Sequence, residues 1–202
     1  MRKVHIVGRD YSIANMFLKQ GWEVVDYIDK NIDLIQFTGG EDVDPSYYGQ
    51  TKHPRTYSNP KRDAYEANIF NEWKGEVPMA GICRGGQFLN VMNGGSMWQH
   101  VDNHALSKTH DAHCLVTDTI YQVTSTHHQM MIPAVHAKLL LTASLSTRRE
   151  DADSVVEGVG TDTEAVYYGD TQCLCFQPHP EYVSINHECQ ILYFEYINRF
   201  LL

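Results

Sequence analysis

Pro78-Met79-Ala80-Gly81-Ile82-Cys83-Arg84-Gly85-Gly86-Gln87-Phe88-Leu89-Asn90-Val91-Met92-Asn93-Gly94-Gly95-Ser96-Met97-Trp98-Gln99-His100-Val101 is the stretch around which the chain is organised. A short apolar approach, Val77 to Ile82, runs into Cys83, and small residues follow at once. Gln87, Phe88, Leu89, Val91 and Met92 then resume with helical spacing. The pattern predicts a strand, a tight turn and a helix, with a cysteine at the turn. A sharp strand-to-helix turn lifts a side chain clear of its own backbone, and glycines let neighbouring chain pass close by. The helix N-terminus below supplies unpaired N–H groups and positive potential, which favour thiolate over thiol and can hold an oxyanion. Cys83 is therefore a candidate nucleophile; a buried core thiol is the alternative and needs none of these features.

The rest of the chain sets the bounds. Its 202 residues suit one domain, 1–202, with enough length to bury a substantial core. Sixteen basic residues against 25 acidic ones give a net charge of −9, and no Lys/Arg-rich run offsets it, which argues against nucleic-acid binding. No segment approaches a membrane span, and Met1 to Gly8 reads as a first strand rather than a signal peptide. Five cysteines, odd in number and irregular in spacing, do not make a disulfide framework, so a reducing cytoplasm is the expected compartment.

Read in order, Val4–Val7 is a strand and Tyr11–Gln20 a helix, capped by Ser12 and ended by Gly21. Strands at Trp22–Tyr27 and Leu34–Thr38 follow, the latter stopping at Gly39-Gly40. This alternation predicts a parallel sheet covered on both faces, whose ligands sit at the carboxyl ends of strands. Gly39-Gly40 and Cys83 both fall at such ends. Residues 41–60 read as a long ordered loop, and Arg62–Trp73 as a helix. Strands are expected near Cys114–Val116 and Ile120–Val123, joined by a turn at Thr117-Asp118-Thr119, and again at Leu139–Ala143. Val155–Val159 and Ala165–Tyr168 follow, with a polar turn at Gly160–Thr163 between them. Cys173–Gln177 is a buried strand that delivers Pro178-His179-Pro180-Glu181. Ile185–Leu202 closes the chain as an amphipathic helix, with Ile191, Leu192, Phe194, Ile197 and Leu201 as its core candidates.

A cysteine hydrolase needs a base for the thiol proton and a third group to orient that base. His179 lies just past a strand end. Glu181, two residues on in extended chain, projects to the same side and can reach one imidazole nitrogen while the other faces Cys83. Flanking prolines suit fixed geometry. His104, His110, His113, His127, His128, Cys114 and the Cys173/Cys175 pair lack the turn spacing of zinc ligands, so no metal or other cofactor is expected. Asp63 and Glu66, in or near a first helical turn, suit the helix dipole as well as any functional role.

With these residues in view, the chain resembles the class I glutamine amidotransferases, in particular their γ-glutamyl-γ-aminobutyrate hydrolase-like branch. Gly81-Ile82-Cys83-Arg84-Gly85-Gly86-Gln87 is similar to the family's Gly-x-Cys-x-Gly-x-Gln elbow, and Gln177-Pro178-His179-Pro180-Glu181 to its His-Pro-Glu signature. Gly39 to Gly49, Arg62-Asp63-Ala64-Tyr65-Glu66, Ser125-Thr126-His127-His128-Gln129 and Val156-Glu157-Gly158-Val159 resemble that branch in the same order. The resemblance implies a flavodoxin-like α/β fold: a mostly parallel sheet with helices on both faces and a small antiparallel extension. It implies a Cys83–His179–Glu181 triad, an oxyanion hole from the N–H groups of Arg84 and Gly40, and a glutamyl site that includes Gln87, His128 and Gln129, with Glu157 towards the amine side.

Three functions fit this reading. The first is a hydrolase that cleaves a small-molecule γ-glutamyl amide through a glutamyl thioester. The second is a glutaminase subunit supplying ammonia to a separate synthetase or amide ligase. The third is a non-catalytic γ-glutamyl-binding protein, against which the three triad-type residues weigh. A homodimer is compatible with any of them.

Overall fold

A computed structural model describes residues 1–202. The chain begins with β1 (Lys3–Val7), α1 (Tyr11–Lys19), β2 (Glu23–Val25) and β3 (Leu34–Phe37), followed by α2 (Pro60–Trp73), β4 (Met79–Ile82) and α3 (Arg84–Met92). Short strands β5 (Ser96–Trp98) and β6 (His100–Val101) lead to β7 (His110–Cys114), β8 (Thr119–Val123), β9 (Met130–Ile132) and β10 (Lys138–Ala143). Then come β11 (Arg148–Glu150), β12 (Val155–Glu157), β13 (Asp162–Tyr168), β14 (Cys173–Phe176) and α4 (Glu188–Tyr196), whose last turn widens into a π-helix over Ile197–Leu201.

The main sheet has nine strands in the order β2-β1-β3-β4-β14-β13-β10-β7-β8. The first five run parallel. The last four join antiparallel, so the extension is as large as a second half-sheet. Side-chain alternation sends Leu174 and Phe176 to one face and Cys173 and Cys175 to the other. On the first face α1 and α4 bury Ile13, Phe17, Leu192 and Tyr193; on the second α2 and α3 bury Phe70, Phe88 and Leu89. At about 1.5–3 kcal/mol for each fully buried large apolar side chain, these two layers are what hold the helices to the sheet.

Several local expectations shift. Asp10, not Ser12, caps α1, its carboxylate accepting from the Ile13 N–H at 2.9 Å. The β7–β8 turn falls at residues 115–118, closed by Asp118 in a left-handed conformation (φ 55°), and the strand before it starts at His110. Its inward positions are His110, Ala112 and Cys114, a face that hydropathy does not mark. Asp162 and Thr163, expected in a turn, are buried positions of β13. α4 starts three residues later than expected and leaves Ile191 exposed at 40%. Its inner face is Cys189, Leu192, Tyr193, Tyr196 and Ile197, the i, i+3, i+4 spacing of a packed stripe. The Tyr196 hydroxyl is satisfied by the Leu140 carbonyl at 3.1 Å, which lets a tyrosine serve as core.

Candidate active site

Register brings three loop starts to one level. Phe37 pairs with Gly81, Gly81 with Cys175, and Ile82 with Phe176, so β3, β4 and β14 end side by side. Gly39-Gly40 leaves the first of these ends, Cys83 the second and His179 the third.

Cys83 sits at φ 51°, ψ −114°, a conformation a side chain other than glycine rarely takes. Its N–H is anchored to the Phe176 carbonyl at 2.8 Å and its carbonyl accepts from Gln87 N–H at 2.9 Å. α1, α2 and α4 are each capped by a side chain, from Asp10, Asn59 and His187; α3 has no side-chain cap. The first N–H groups of α3 thus remain available beside the thiol. Gly85 is required here: a Cβ on it would lie 2.6 Å from the Phe37 carbonyl carbon, so α3 could not settle against β3.

His179 is buried, and its Nδ1 lies 2.6 Å from Glu181 Oε1, which places the proton on Nδ1 and aims Nε2 away from the carboxylate. Burial opposes a charged imidazole, but hydrogen bonding to Cys83 and to Glu181 outweighs it and raises the His179 pKa to about 10. The pair rests as thiolate and imidazolium at neutral pH. Gly39 abuts both partners: a Cβ there would lie 3.2 Å from His179 Cε1 and 3.8 Å from Cys83 Cβ.

The sequence reading did not single out two further contacts of this histidine. The Thr124 hydroxyl accepts from the His179 N–H at 2.7 Å and donates to its carbonyl at 3.2 Å. Tyr182 stacks on the imidazole with ring centroids 4.5 Å apart and planes 3° from parallel. An aromatic directly after His-Pro-Glu was the available signal for Tyr182. Thr124 carried none, because its partner is 55 residues away.

Beneath the elbow lies a buried charge network. The Arg84 guanidinium pairs with Asp63 and Glu66, and lies 5.0 Å from the Phe88 ring centroid. Burial lowers its pKa to about 10, and the two carboxylates keep it cationic. Arg62 Nε donates to Glu66 at 2.8 Å, while Arg62 Nη2 donates to the carbonyls of Thr38 and Gly39, both at 2.9 Å. Asp63 and Glu66 therefore join α2 to the elbow helix and, through Arg62, to the Gly39-Gly40 turn. Gly40, at φ 133°, has no room for a Cβ beside the Arg62 guanidinium.

The other expected site residues are placed differently. Gln87 is buried and its amide donates to Gln177 Oε1 at 3.1 Å. Gln129 is also buried and donates to Thr56 Oγ1 at 3.1 Å. Both amides are engaged within the protein, so contact with a glutamyl group requires an exchange of partners. His128 points to Asp42 Oδ1 at 3.1 Å. Glu157 is exposed on β12 and pairs with Arg148 at 3.3 Å. A cavity of about 230 Å³ lined by Thr38, Gly39, Arg62 and Glu66 adjoins the turn. A larger one of about 600 Å³, between β1, β2 and Tyr65, touches neither Cys83 nor His179, and the site is assigned by chemistry rather than cavity size. All five cysteines are free.

The peptidase C26 family model matches residues 5–181. The chain belongs to the peptidase C26 family. It is 31% identical over 178 residues to Protein NtpR of Enterococcus hirae, an alignment spanning 77% of this chain and 69% of that one. It is 31% identical over 163 residues to "Putative glutamine amidotransferase Rv2859c" of Mycobacterium tuberculosis, spanning 75% of this chain and about half (51%) of the relative. Among solved structures, a glutamine amidotransferase of Thermotoga maritima superposes with a TM-score of 0.63 at 16% identity, over 89% of this chain and 76% of the other. PurLQS of Thermotoga maritima gives a TM-score of 0.65 at 16% identity, over 100% and 99%. These superpositions establish the flavodoxin-like fold of class I glutamine amidotransferases. Family membership places this C26 protein among cysteine-dependent amide hydrolases and glutamine amidotransferases. No helix is long and apolar enough to cross a membrane.

Proposed function

We propose that the chain hydrolyses the γ-glutamyl amide bond of glutamine or of a γ-glutamyl amine, with Cys83 as nucleophile, His179 as acid and base, and Glu181 as the group that orients it. The observation that carries this reading is the strained, uncapped elbow at Cys83 beside an imidazole held by Glu181. Cys83 Sγ attacks the γ-carbonyl carbon, and the carbonyl oxygen becomes an oxyanion held by the N–H groups of Arg84 and Gly40. Each such donor contributes roughly two to three orders of magnitude in rate. His179 gives its proton to the departing nitrogen, the C–N bond breaks and a glutamyl thioester remains. Water, deprotonated by the now neutral imidazole, cleaves the thioester to glutamate and returns the thiolate–imidazolium pair.

Glutamate release by the purified chain, from glutamine and a panel of γ-glutamyl amines, tests the reading. Turnover of the amines that disappears in Cys83→Ala is expected. Activity retained in that variant refutes the mechanism.

A second reading is an ammonia-supplying glutaminase component of a larger synthetase. It is favoured by the superposition on PurLQS, and by that on a GMP synthase glutaminase-type component of Thermoplasma acidophilum (TM-score 0.61, 14% identity, 90% of this chain and 85% of the other). Slow cleavage of glutamine alone, stimulated by an added synthetase or amide ligase, would select it. Full turnover without a partner would eliminate it.

A further inference from the structure

Between the sheet extension and the loops after β6 and β8 lies a second cluster of reactive side chains, for which the proposed reaction has no use. His104, His110 and Glu164 are buried, and one ligand-type atom from each lies within 4.8 Å of the other two. Asp162, two residues before Glu164 on the same strand, shows how this protein normally treats a buried carboxylate. It accepts from His104 Nε2 at 3.0 Å, from the N–H groups of Leu145 and Ser146 at 2.6 and 2.8 Å, and from the Ser146 hydroxyl. Glu164, with no solvent exposure, has no hydrogen-bond partner on either oxygen. A buried carboxylate without donors is costly and rare.

The neighbouring imidazoles do not supply the missing donors. His110 Nδ1 lies 3.0 Å from the Asp111 carbonyl, an acceptor that only N–H can satisfy, so the proton is on Nδ1 and the lone pair on Nε2. That Nε2 has no hydrogen-bond partner and lies 3.6 Å from Glu164 Oε1. His104 directs its Nε2 proton to Asp162 and turns Nδ1 towards Glu164 Oε1 at 3.5 Å. Ser125 Oγ, 3.0 Å from that Nδ1, sits 2.6 Å from the His104 carbonyl and has only one proton to give. His127 Nε2, on a ring 4.5 Å from that of His104, is likewise without a partner. Lone pairs converge here in excess of protons.

From this arrangement we infer that His104 Nδ1, His110 Nε2 and Glu164 form a site for a divalent transition-metal ion, zinc foremost. Metal–nitrogen and metal–oxygen bonds of about 2.0–2.1 Å in a tetrahedron put ligand atoms ~3.3 Å apart, close to the two spacings seen. The outer contacts are those of a metal site: a carboxylate behind one histidine and a backbone carbonyl behind the other fix each ring's tautomer. Two nitrogens and a carboxylate suit zinc better than magnesium or calcium. Buried ligands make this a bracing ion rather than a second reaction centre. Through β13 it would hold the strand next to β14, where the Gln177 N–H donates to the Glu164 carbonyl at 2.8 Å, two residues before His179.

Elemental analysis of Cys83→Ala, in which the elbow thiol cannot capture the ion, tests the site. After refolding with Zn²⁺ and dialysis against a weak chelator, about one zinc per chain is expected. The Co²⁺ form should show the visible bands of a four-coordinate nitrogen–oxygen site without thiolate charge transfer. The thermal midpoint should rise with free zinc concentration, as binding to the native state requires. Adding Glu164→Gln, which keeps the shape, should cut the bound metal by at least tenfold; His110→Asn gives the same readout should the glutamine variant not fold. Zinc content below about a tenth of an ion per chain in the parent, or content unchanged in the variants, overturns the site in favour of extra protons on Glu164 and the histidines. None of these readouts depends on amidase activity.

Discussion

His179 is restrained by Glu181 at Nδ1, by Tyr182 across one ring face and by Thr124 at its backbone N–H and carbonyl. Each contact has its own kinetic signature. Glu181→Gln keeps the size but loses the charge and presents either tautomer, so kcat should fall by about 10²–10⁴ with KM little changed. Tyr182→Ala frees one ring face and should cost far less. The histidine also carries a pH signature. Its folded pKa, about 10, lies above the ordinary value near 6.5 of an unfolded chain. Its stabilising contribution is therefore complete below about pH 6.5 and is lost as the pH rises towards 10. The difference in thermal midpoint between the parent and His179→Gln should accordingly shrink from pH 6 to pH 10. A gap that widens over that range would show that the imidazolium is not the resting form.

At the scale of elements, α2 is the link between the two halves of the oxyanion site. Arg62 holds the β3 turn by its carbonyls, Glu66 bridges Arg62 and Arg84, and Arg84 opens α3. Breaking a buried pair while leaving its partner charged costs about 3–5 kcal/mol, so Glu66→Ala should lower the unfolding midpoint in urea sharply. Arg62→Met removes the clamp on Thr38 and Gly39 but leaves the elbow and triad in place. Its expected effect is a fall in kcat of about 10²-fold, the scale of one oxyanion donor, with alkylation of Cys83 by iodoacetamide unchanged. A parallel loss of alkylation would place Arg62 in thiol activation instead. Asp63 and Glu66 near the start of a helix read equally well as dipole partners; only the fold reveals that both are buried beneath an arginine from another helix.

For the molecule as a whole, the site depends on three adjacent parallel strands ending at one height. That alignment tolerates no side chain at Gly85, where a Cβ would press into the Phe37 backbone. Gly85→Ala should destabilise the fold by about 1–3 kcal/mol or more, and should lower activity further by pushing the elbow away from His179. Thermal unfolding and glutamate release measured on one preparation would separate the two effects. The antiparallel half, β13-β10-β7-β8, supplies the lateral support for β14 and holds the buried histidine–glutamate cluster.

What the sequence determined by itself is what local chemistry encodes. A cysteine at an apolar-to-small transition, glycines where chains must touch, and an imidazole two residues from a carboxylate are short-range patterns, legible without any partner. They led to the elbow at Cys83, the turn at Gly39-Gly40 and the pairing of His179 with Glu181. The tertiary structure alone decided everything that rests on long-range register. It turned Gln87 and Gln129 into buried hydrogen-bond partners, sent His128 to Asp42 and moved the expected Glu157 away from the cleft. It also brought Glu164 on β13 to His104 and His110, residues whose separation along the chain hides any ligand spacing. The physical reason is that β-sheet pairing joins residues by height and face, and neither quantity is written in the interval between them.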